Sequence, residues 1–174
     1  MIQSLESLHR AAQERGSRVL AVAAAQDAEV LLAVDAARKL GIATAILVGD
    51  EEQIRAIAQA HDIPLEPHRI LPEPDKVQAC RTAVKLVRDG QADAVMKGIV
   101  DTSIILKAVL DKEIGLRDAP VLSHVALFQV PGYDRLLYVT DAAMNIAPDL
   151  EAKKHIVSNA VKVAHALGNP NPIV

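Results

Sequence analysis

The chain has 174 residues, enough for one domain or one and a fraction, and long enough to bury a real core. It is 51% hydrophobic and 24% charged with a net charge of −3, and its only aromatics are Phe128, Tyr133 and Tyr138, so a nucleic-acid binder, which needs basic runs and stacking platforms, is disfavoured. The lone Cys80 excludes an internal disulfide and points to a reducing cytoplasm, and no apolar run reaches membrane-spanning length.

The N-terminal stretch MIQSLESLHRAAQERG reads as an amphipathic helix of mixed charge rather than a signal peptide. The first predicted strand is RVLAVAAA (18–25). A helix follows over 27–40, with Val30, Leu31, Val34, Ala37 and Leu40 on one face and Gly41 as its stop. The second strand is ATAILVGD (43–50), and the next helix, 51–60, opens with Glu51 and Glu52, where the helix dipole favours negative charge. HRILP (68–72) is the third strand. A helix over 74–89 carries the stripe Val77, Cys80, Val84 and Val87 and closes at Gly90, and ADAVMKG (92–98) is the fourth strand. Pro64, Pro67, Pro72 and Pro74 mark loops or helix starts. The strand starts are evenly spaced without shared sequence, which is the spacing of a strand plus a crossover helix. Four such units predict an α/β fold with a parallel sheet and right-handed crossovers, and the aliphatic composition suits that sheet.

After residue 110 the pattern changes. DKEIGLRDAP is a polar connection, and then VLSHVALFQV and RLLYVTD flank PGYD as an antiparallel hairpin. The switch sets an expected boundary, with an N-terminal α/β domain over 1–118 and the start of a second, incomplete α/β domain over 119–174. Asp149 or Pro148 opens a last helix, 149–167, that ends at Gly168. The final Ile173-Val174 reads as the first step of another strand, which predicts that the natural protein continues past Val174.

In a parallel sheet, ligands bind at the carboxyl ends of the strands, where helix N-termini point outward. Lys97 and Gly98 stand at such an end. Gly98 permits close approach to the backbone, Thr102 and Ser103 bring hydroxyls and free N–H groups to the next helix start, and Lys107 shares a face with Ser103. Together they form a candidate phosphate or anion site. The plainer alternative is an Asp101 or Thr102 cap, a glycine turn and a solvated lysine. Neither a G-x-G-x-x-G after the first strand nor a G-x-x-x-x-G-K-[ST] is present, so a dinucleotide fold and a P-loop NTPase are disfavoured. A second polar cluster, Thr140, Asp141 and Asn145 in YVTDAAMNIAPD, is either a cleft wall or a loop of turn residues and caps. His124 beside Ser123 reads as a structural histidine, since neighbours on a strand face opposite ways. The remaining histidines are scattered and no metal site is expected. Cys80 reads as a core hydrophobe, and Lys153, Lys154 and His155 as a solvated face.

The segments VMKGIVDTSIILKAVLDKEIGLR, LSHVALFQVPGY and LLYVTDAAMNIAPDLEAKKHIVSNAV, with ILVGDEEQI and GQADAVMKG before them, resemble the phosphate acetyl/butyryltransferase family, and its butyryl branch more than its acetyl branch. The resemblance implies the reversible reaction of acyl-CoA and phosphate to acyl phosphate and CoA, with CoA as a substrate, no further cofactor, and small molecules rather than nucleic acid or membrane as partners. It implies a homo-oligomer built from two α/β domains of the isocitrate/isopropylmalate dehydrogenase-like type, with the site in the cleft between them. Lys107 falls where the acetyl branch has a phosphate-contacting arginine, keeping the charge but losing the bidentate fork. Tyr133 falls where some acetyltransferases carry a cysteine. The substrate-binding residues expected on this basis are Lys97, Gly98, Thr102, Ser103, Lys107, Tyr133, Asp141 and Asn145. The family's Ser/Asp-bearing catalytic segments would lie past Val174, so no catalytic residue is assigned and no turnover is expected of these 174 residues alone. Two other readings stand beside this one: a non-catalytic ligand-binding or oligomerising fragment, and a CoA-ester enzyme fused to an enoyl-CoA hydratase module.

Overall fold

The computed structural model describes residues 2–174. The four expected strands form in order: β1 (Arg18–Ala23), β2 (Ala43–Gly49), β3 (Arg69–Pro72) and β4 (Ala94–Lys97). They make one fully parallel sheet in the order β3-β2-β1-β4. β1 stops two residues short of the expected Ala25 because Ala24 turns left-handed, at φ 54°. Its neighbour Ala23 is the last to pair, opposite Lys97 of β4 and Val48 of β2.

Helices α2 (Ala28–Lys39), α3 (Glu51–Ala60), α4 (Lys76–Arg88) and α5 (Thr102–Val109) alternate with the strands. Asp27, Asp50 and Asp75 each precede a helix and accept the N–H of the residue three further on, at 2.8–3.0 Å. Such caps satisfy donors that no helix can satisfy internally. Asp101 holds the same position before α5 but makes no side-chain cap. Beyond α5, Asp111 accepts the N–H groups of Ile114 and Glu113 and the guanidinium of Arg81, which hold its pKa down to about 2 and fix the polar connection.

The core lies on both faces of the sheet. Alternate residues of β1 and β2 point opposite ways, as the pleat requires. Ala21, Ala23, Ile46 and Val48 pack with Ala79, Cys80, Ala83 and Val84 of α4 and with Ile105 and Ala108 of α5. Val22, Ala45 and Leu47 pack with Leu31 and Val34 of α2 and Ile54 and Ala58 of α3. The first face is a seam of small residues, which lets α4 approach β1 closely. The helical stripes drawn from the sequence hold at Leu31, Val34, Cys80 and Val84, which are buried, but Val77 is 48% exposed and Leu40 is 47% exposed, and Ala79 and Ala83 join the buried face of α4. The buried face of α2 also takes in Asp35, 4% exposed, whose carboxylate is matched by Arg38 at 2.8 Å and Lys39 at 2.7 Å.

The contacts divide the chain into Arg15–Arg117, which is this sheet with its helices, and a second unit in which α1 (Leu5–Glu14) joins Asp118–Val174. The first helix thus groups with the C-terminal segment and not with the sheet that follows it in sequence. In the second unit β5 (Ala126–Phe128) and β6 (Leu137–Val139) pair antiparallel, and α6 (Leu150–Ala166) follows, capped by Asp149. The turn Val130-Pro131-Gly132-Tyr133 closes with a 3.1 Å bond from Tyr133 N–H to the Val130 carbonyl, and Gly132 takes the φ of 88° that the third position of such a turn demands. The hairpin is shorter than VLSHVALFQV and RLLYVTD suggest, with three residue pairs. No strand forms at Ile173-Val174, which are 95% and 89% exposed. No helix among the described residues is long and apolar enough to cross a membrane.

Candidate functional site

The strand order β3-β2-β1-β4 fixes where a ligand cleft can form. The chain builds outward from β1 through β2 to β3, then returns to lay β4 on the other side of β1. The loops after β1 and β4 therefore diverge, and the gap at their carboxyl ends is the topological switch point. A cleft of about 490 Å³ lies there, lined by Asp27 from the β1–α2 turn, Lys76 from the start of α4, and Lys97, Gly98, Ile99, Val100, Asp101 and Ile104 from β4, its loop and α5.

Each wall has a local cause. Gly98 N–H donates to the Ala23 carbonyl at 2.8 Å and Ile99 N–H to the Ala24 carbonyl at 2.9 Å, so the loop continues β1's ladder past the end of β4. A side chain at Gly98 would meet the Ala24 oxygen at 2.1 Å and the Ala23 oxygen at 2.6 Å. The close approach that this glycine allows is thus filled by the chain's own β1. Lys97 folds back over the loop and donates from Nζ to the carbonyls of Val100 at 3.0 Å and Gly98 at 3.3 Å. Its ammonium keeps a third donor and its charge at the cleft. At α5, the N–H groups of the first turn meet no capping carboxylate.

The structure brings together some of the expected site residues. Lys97 and Gly98 line the cleft. Thr102 and Ser103 stand exposed on the first turn of α5 beside it, and Lys107, four residues on from Ser103, is exposed on the same helix without lining the cleft. Tyr133, Asp141 and Asn145 belong to the second unit. Tyr133 is 60% exposed at the hairpin turn. Asp141 and Asn145 are occupied by the backbone. Asp141 accepts the N–H groups of His124 at 3.1 Å and Met144 at 3.3 Å and the amide of Asn145, which also donates to the Leu122 carbonyl at 3.0 Å. Thr140 Oγ1 donates to the His124 carbonyl at 2.7 Å. Desolvation raises the pKa of Asp141, but the Asn145 amide and the N–H groups of His124, Met144 and Ala143 outweigh it and leave the group below the usual carboxylate range. These residues hold the extended segment that leads into β5, which Asn159 of α6 also holds through Val121 and Ser123.

Sequence reasoning missed Lys76 and Asp27 as cleft residues. Asp27 opens the helix expected over 27–40, but nothing local says that it or the start of α4 reaches the switch point. A smaller cleft, about 280 Å³, lies by α3 and β3 and is lined by Glu51, Arg55, Leu65, Glu66, His68 and Ile70. His68 Nδ1 there accepts the Ala45 N–H at 3.1 Å and its Nε2 is buried without a protein partner. Among the described residues, no group of three or more His, Cys, Asp or Glu side chains is arranged to hold a metal.

A parallel sheet sandwiched by helices, with a charged cleft at its switch point, defines an α/β protein of the kind whose strand ends offer a place for a small polar ligand. The chain belongs to the family described as Phosphate acetyl/butaryl transferase, whose model matches residues 73–174. It is 47% identical over all 174 residues to a phosphate butyryltransferase of Clostridium acetobutylicum and 45% identical to that of Clostridium beijerinckii, and it spans 58% of the length of each. The crystal structure of a branched-chain phosphotransacylase from Enterococcus faecalis V583 superposes with a TM-score of 0.72 at 31% identity, over 87% of this chain and 52% of that one.

Proposed function

We propose that the protein transfers a short acyl group, butyryl or one close to it in size, between CoA and phosphate. Acyl-CoA and phosphate give acyl phosphate and CoA, reversibly. The observation that carries this reading is the switch-point cleft, which offers Lys97, Lys76 and the uncapped first turn of α5 to a small anion in a chain 47% identical to a phosphate butyryltransferase.

In the direction of acyl phosphate, a phosphate oxygen attacks the thioester carbonyl carbon. The new C–O bond forms, the C–S bond breaks, and CoA leaves as a thiolate that takes up a proton. In reverse, the CoA sulfur attacks the carbonyl carbon of the acyl phosphate and phosphate departs. No redox step and no cofactor enter this balance, and CoA is a substrate. The residues of this chain bind and orient: Thr102, Ser103 and the α5 N–H groups offer donors to phosphate oxygens, while Lys97 sets the loop and supplies charge. Such work lowers a barrier by positioning and by preorganised electrostatics. Lys107 and Tyr133 are proposed as further substrate contacts, and no general base is assigned. The reading includes a division into α/β domains after residue 118, a homo-oligomer, and a cytoplasmic setting in which Cys80 stays reduced.

The test is thioester formation from CoA with butyryl phosphate and with acetyl phosphate. It compares the 174-residue chain with a version extended to the length of the curated relatives. Turnover by the extended protein, faster with butyryl phosphate, is the expected result. No turnover in either, with no CoA binding by calorimetry, overturns the reading in favour of a fragment that binds or assembles without catalysis.

A further inference from the structure

Two side chains in the switch-point cleft have no structural duty. Lys76 occupies the first position of α4, where the positive end of the helix dipole makes a cation unfavourable. Among the described residues it has no ion-pair or hydrogen-bond partner, unlike Lys97 on the other wall, which is held by two carbonyls. Asp101 occupies the position from which Asp27, Asp50 and Asp75 cap their helices, yet it caps nothing and pairs with no cation. Both line the same cleft together with Ile99, Val100 and Ile104, and they do not pair with each other. An exposed cation and an exposed carboxylate that line one partly apolar cleft without pairing suit one ligand that both needs a positive charge and carries a proton to donate.

We propose that Lys76 and Asp101 select a protonated oxyanion, hydrogen phosphate, and reject sulfate. Lys76 neutralises charge on the phosphate oxygens. Asp101, an acceptor only while ionised, takes the hydrogen bond from the P–OH group. Sulfate has the same shape and a double charge but carries no proton near neutral pH, so its oxygen would face the Asp101 carboxylate with nothing between them. Asp101 stands exposed in the open cleft, so sulfate there meets like-charge repulsion and gains no hydrogen bond from the carboxylate, whereas hydrogen phosphate gains one. Net charge then does not decide the fit, and the two lysines and two aspartates that line the cleft leave room for a specific anion without attracting every anion.

The occupant's identity rests on the acyl-transfer reading, but the test does not. Phosphate and sulfate are titrated calorimetrically into the protein at relative length, and acyl transfer is assayed on the same wild-type sample. The expected result is phosphate bound at least about tenfold more tightly than sulfate, the difference that one charged hydrogen bond makes. Asp101→Asn, which leaves every observed cap intact, closes that gap by strengthening sulfate and weakening phosphate. Lys76→Gln weakens both anions about tenfold while keeping their ratio, and Lys76→Arg restores them. A wild type that binds the two anions equally, or an Asp101→Asn protein whose ratio is unchanged, overturns the proposal even if acyl transfer is found. A ratio that shifts as described in a protein without acyl transfer upholds the anion selectivity and removes the transferase reading. Failure to bind either anion overturns the proposal.

Discussion

β2 and β5 come from equally apolar stretches, ATAILVG and the centre of VLSHVALFQV, yet the chain treats them differently. In β2 every residue but Thr44 is buried, because α4 covers one face and α2 with α3 the other. In β5 nothing is fully buried, and Phe128 is 50% exposed. From 118 onward only Leu136, Ile156 and Ala164 are buried, while Ile146 is fully exposed and Leu150 is 68% exposed. An apolar run therefore becomes a buried strand only where helices arrive on both sides, and the hydrophobic term scales with the area they remove from water.

The comparison is broken most directly by truncating one core residue in each unit. Leu47 is fully buried on the α2–α3 face. Leu47→Ala removes its methyl groups from a rigid site that cannot collapse, and the expected loss is about 4 kcal/mol. Ile156 is 6% exposed in the sparser unit, where neighbours and water can fill the space. Ile156→Ala is expected to lose about 2 kcal/mol. Urea midpoints of the two variants measure this. Equal losses would mean that the second unit is packed as tightly as the sheet.

A smaller effect sharpens the same contrast inside the sheet unit. At Gly98 an added methyl group meets the Ala24 and Ala23 carbonyl oxygens at 2.1 and 2.6 Å, which are backbone and cannot rotate away. Gly98→Ala should cost about 3 kcal/mol, the upper end for overpacking, and should weaken phosphate binding by moving the loop. At Gly132 the same space is empty, but the φ of 88° alone disfavours alanine. Gly132→Ala should cost about 1 kcal/mol and leave phosphate binding unchanged. A Gly98→Ala protein as stable as the parent would show that the β1–β4 junction gives way easily.

These positions also show what the amino-acid pattern discloses. Strand starts at Arg18, Ala43, Arg69 and Ala94 lie within two residues of expectation, because Ala/Val/Ile runs between polar turns have one reading in an α/β chain. The strand ends are less legible. Ala24 looks like more β1 until the left-handed turn is seen. The stripe Val77, Cys80, Val84 and Val87 on α4 holds at Cys80, Val84 and Val87, but close packing on Ala21 and Ala23 also draws in Ala79 and Ala83 and leaves Val77 exposed. Asp35 was invisible as a core residue since its burial depends on Arg38 and Lys39 folding back over it. At the candidate site, Lys97 and Gly98 stood out by position, whereas Lys76 is brought in by the β3–α4 turn, a tertiary fact with no local signature.

The smallest effect concerns His68, at the edge of the sheet unit where β3 begins. Burial first, and then the nearby Arg38 guanidinium, push its pKa below the ordinary value of 6.5, with Asp35 opposing. Nδ1 accepts the Ala45 N–H, so the neutral ring carries its proton on Nε2, and protonating Nδ1 would break the bond. Glu51, Glu66 and Arg55 line the cleft around the ring, yet none bonds it among the described contacts. The unfolded chain takes up this proton before the folded one does. The stability tied to neutral His68 is therefore whole above about pH 6.5 and is lost as pH falls from there toward the lower folded value. Asp35 and Asp141, held below the carboxylate range, begin to count only in more acid solution. Urea midpoints at pH 7.5 and 5.5 should thus fall for the parent and change less for His68→Gln, whose side-chain oxygen can still accept the Ala45 N–H. A variant that keeps the full acid sensitivity would move the titration to another histidine and leave His68 a packing residue.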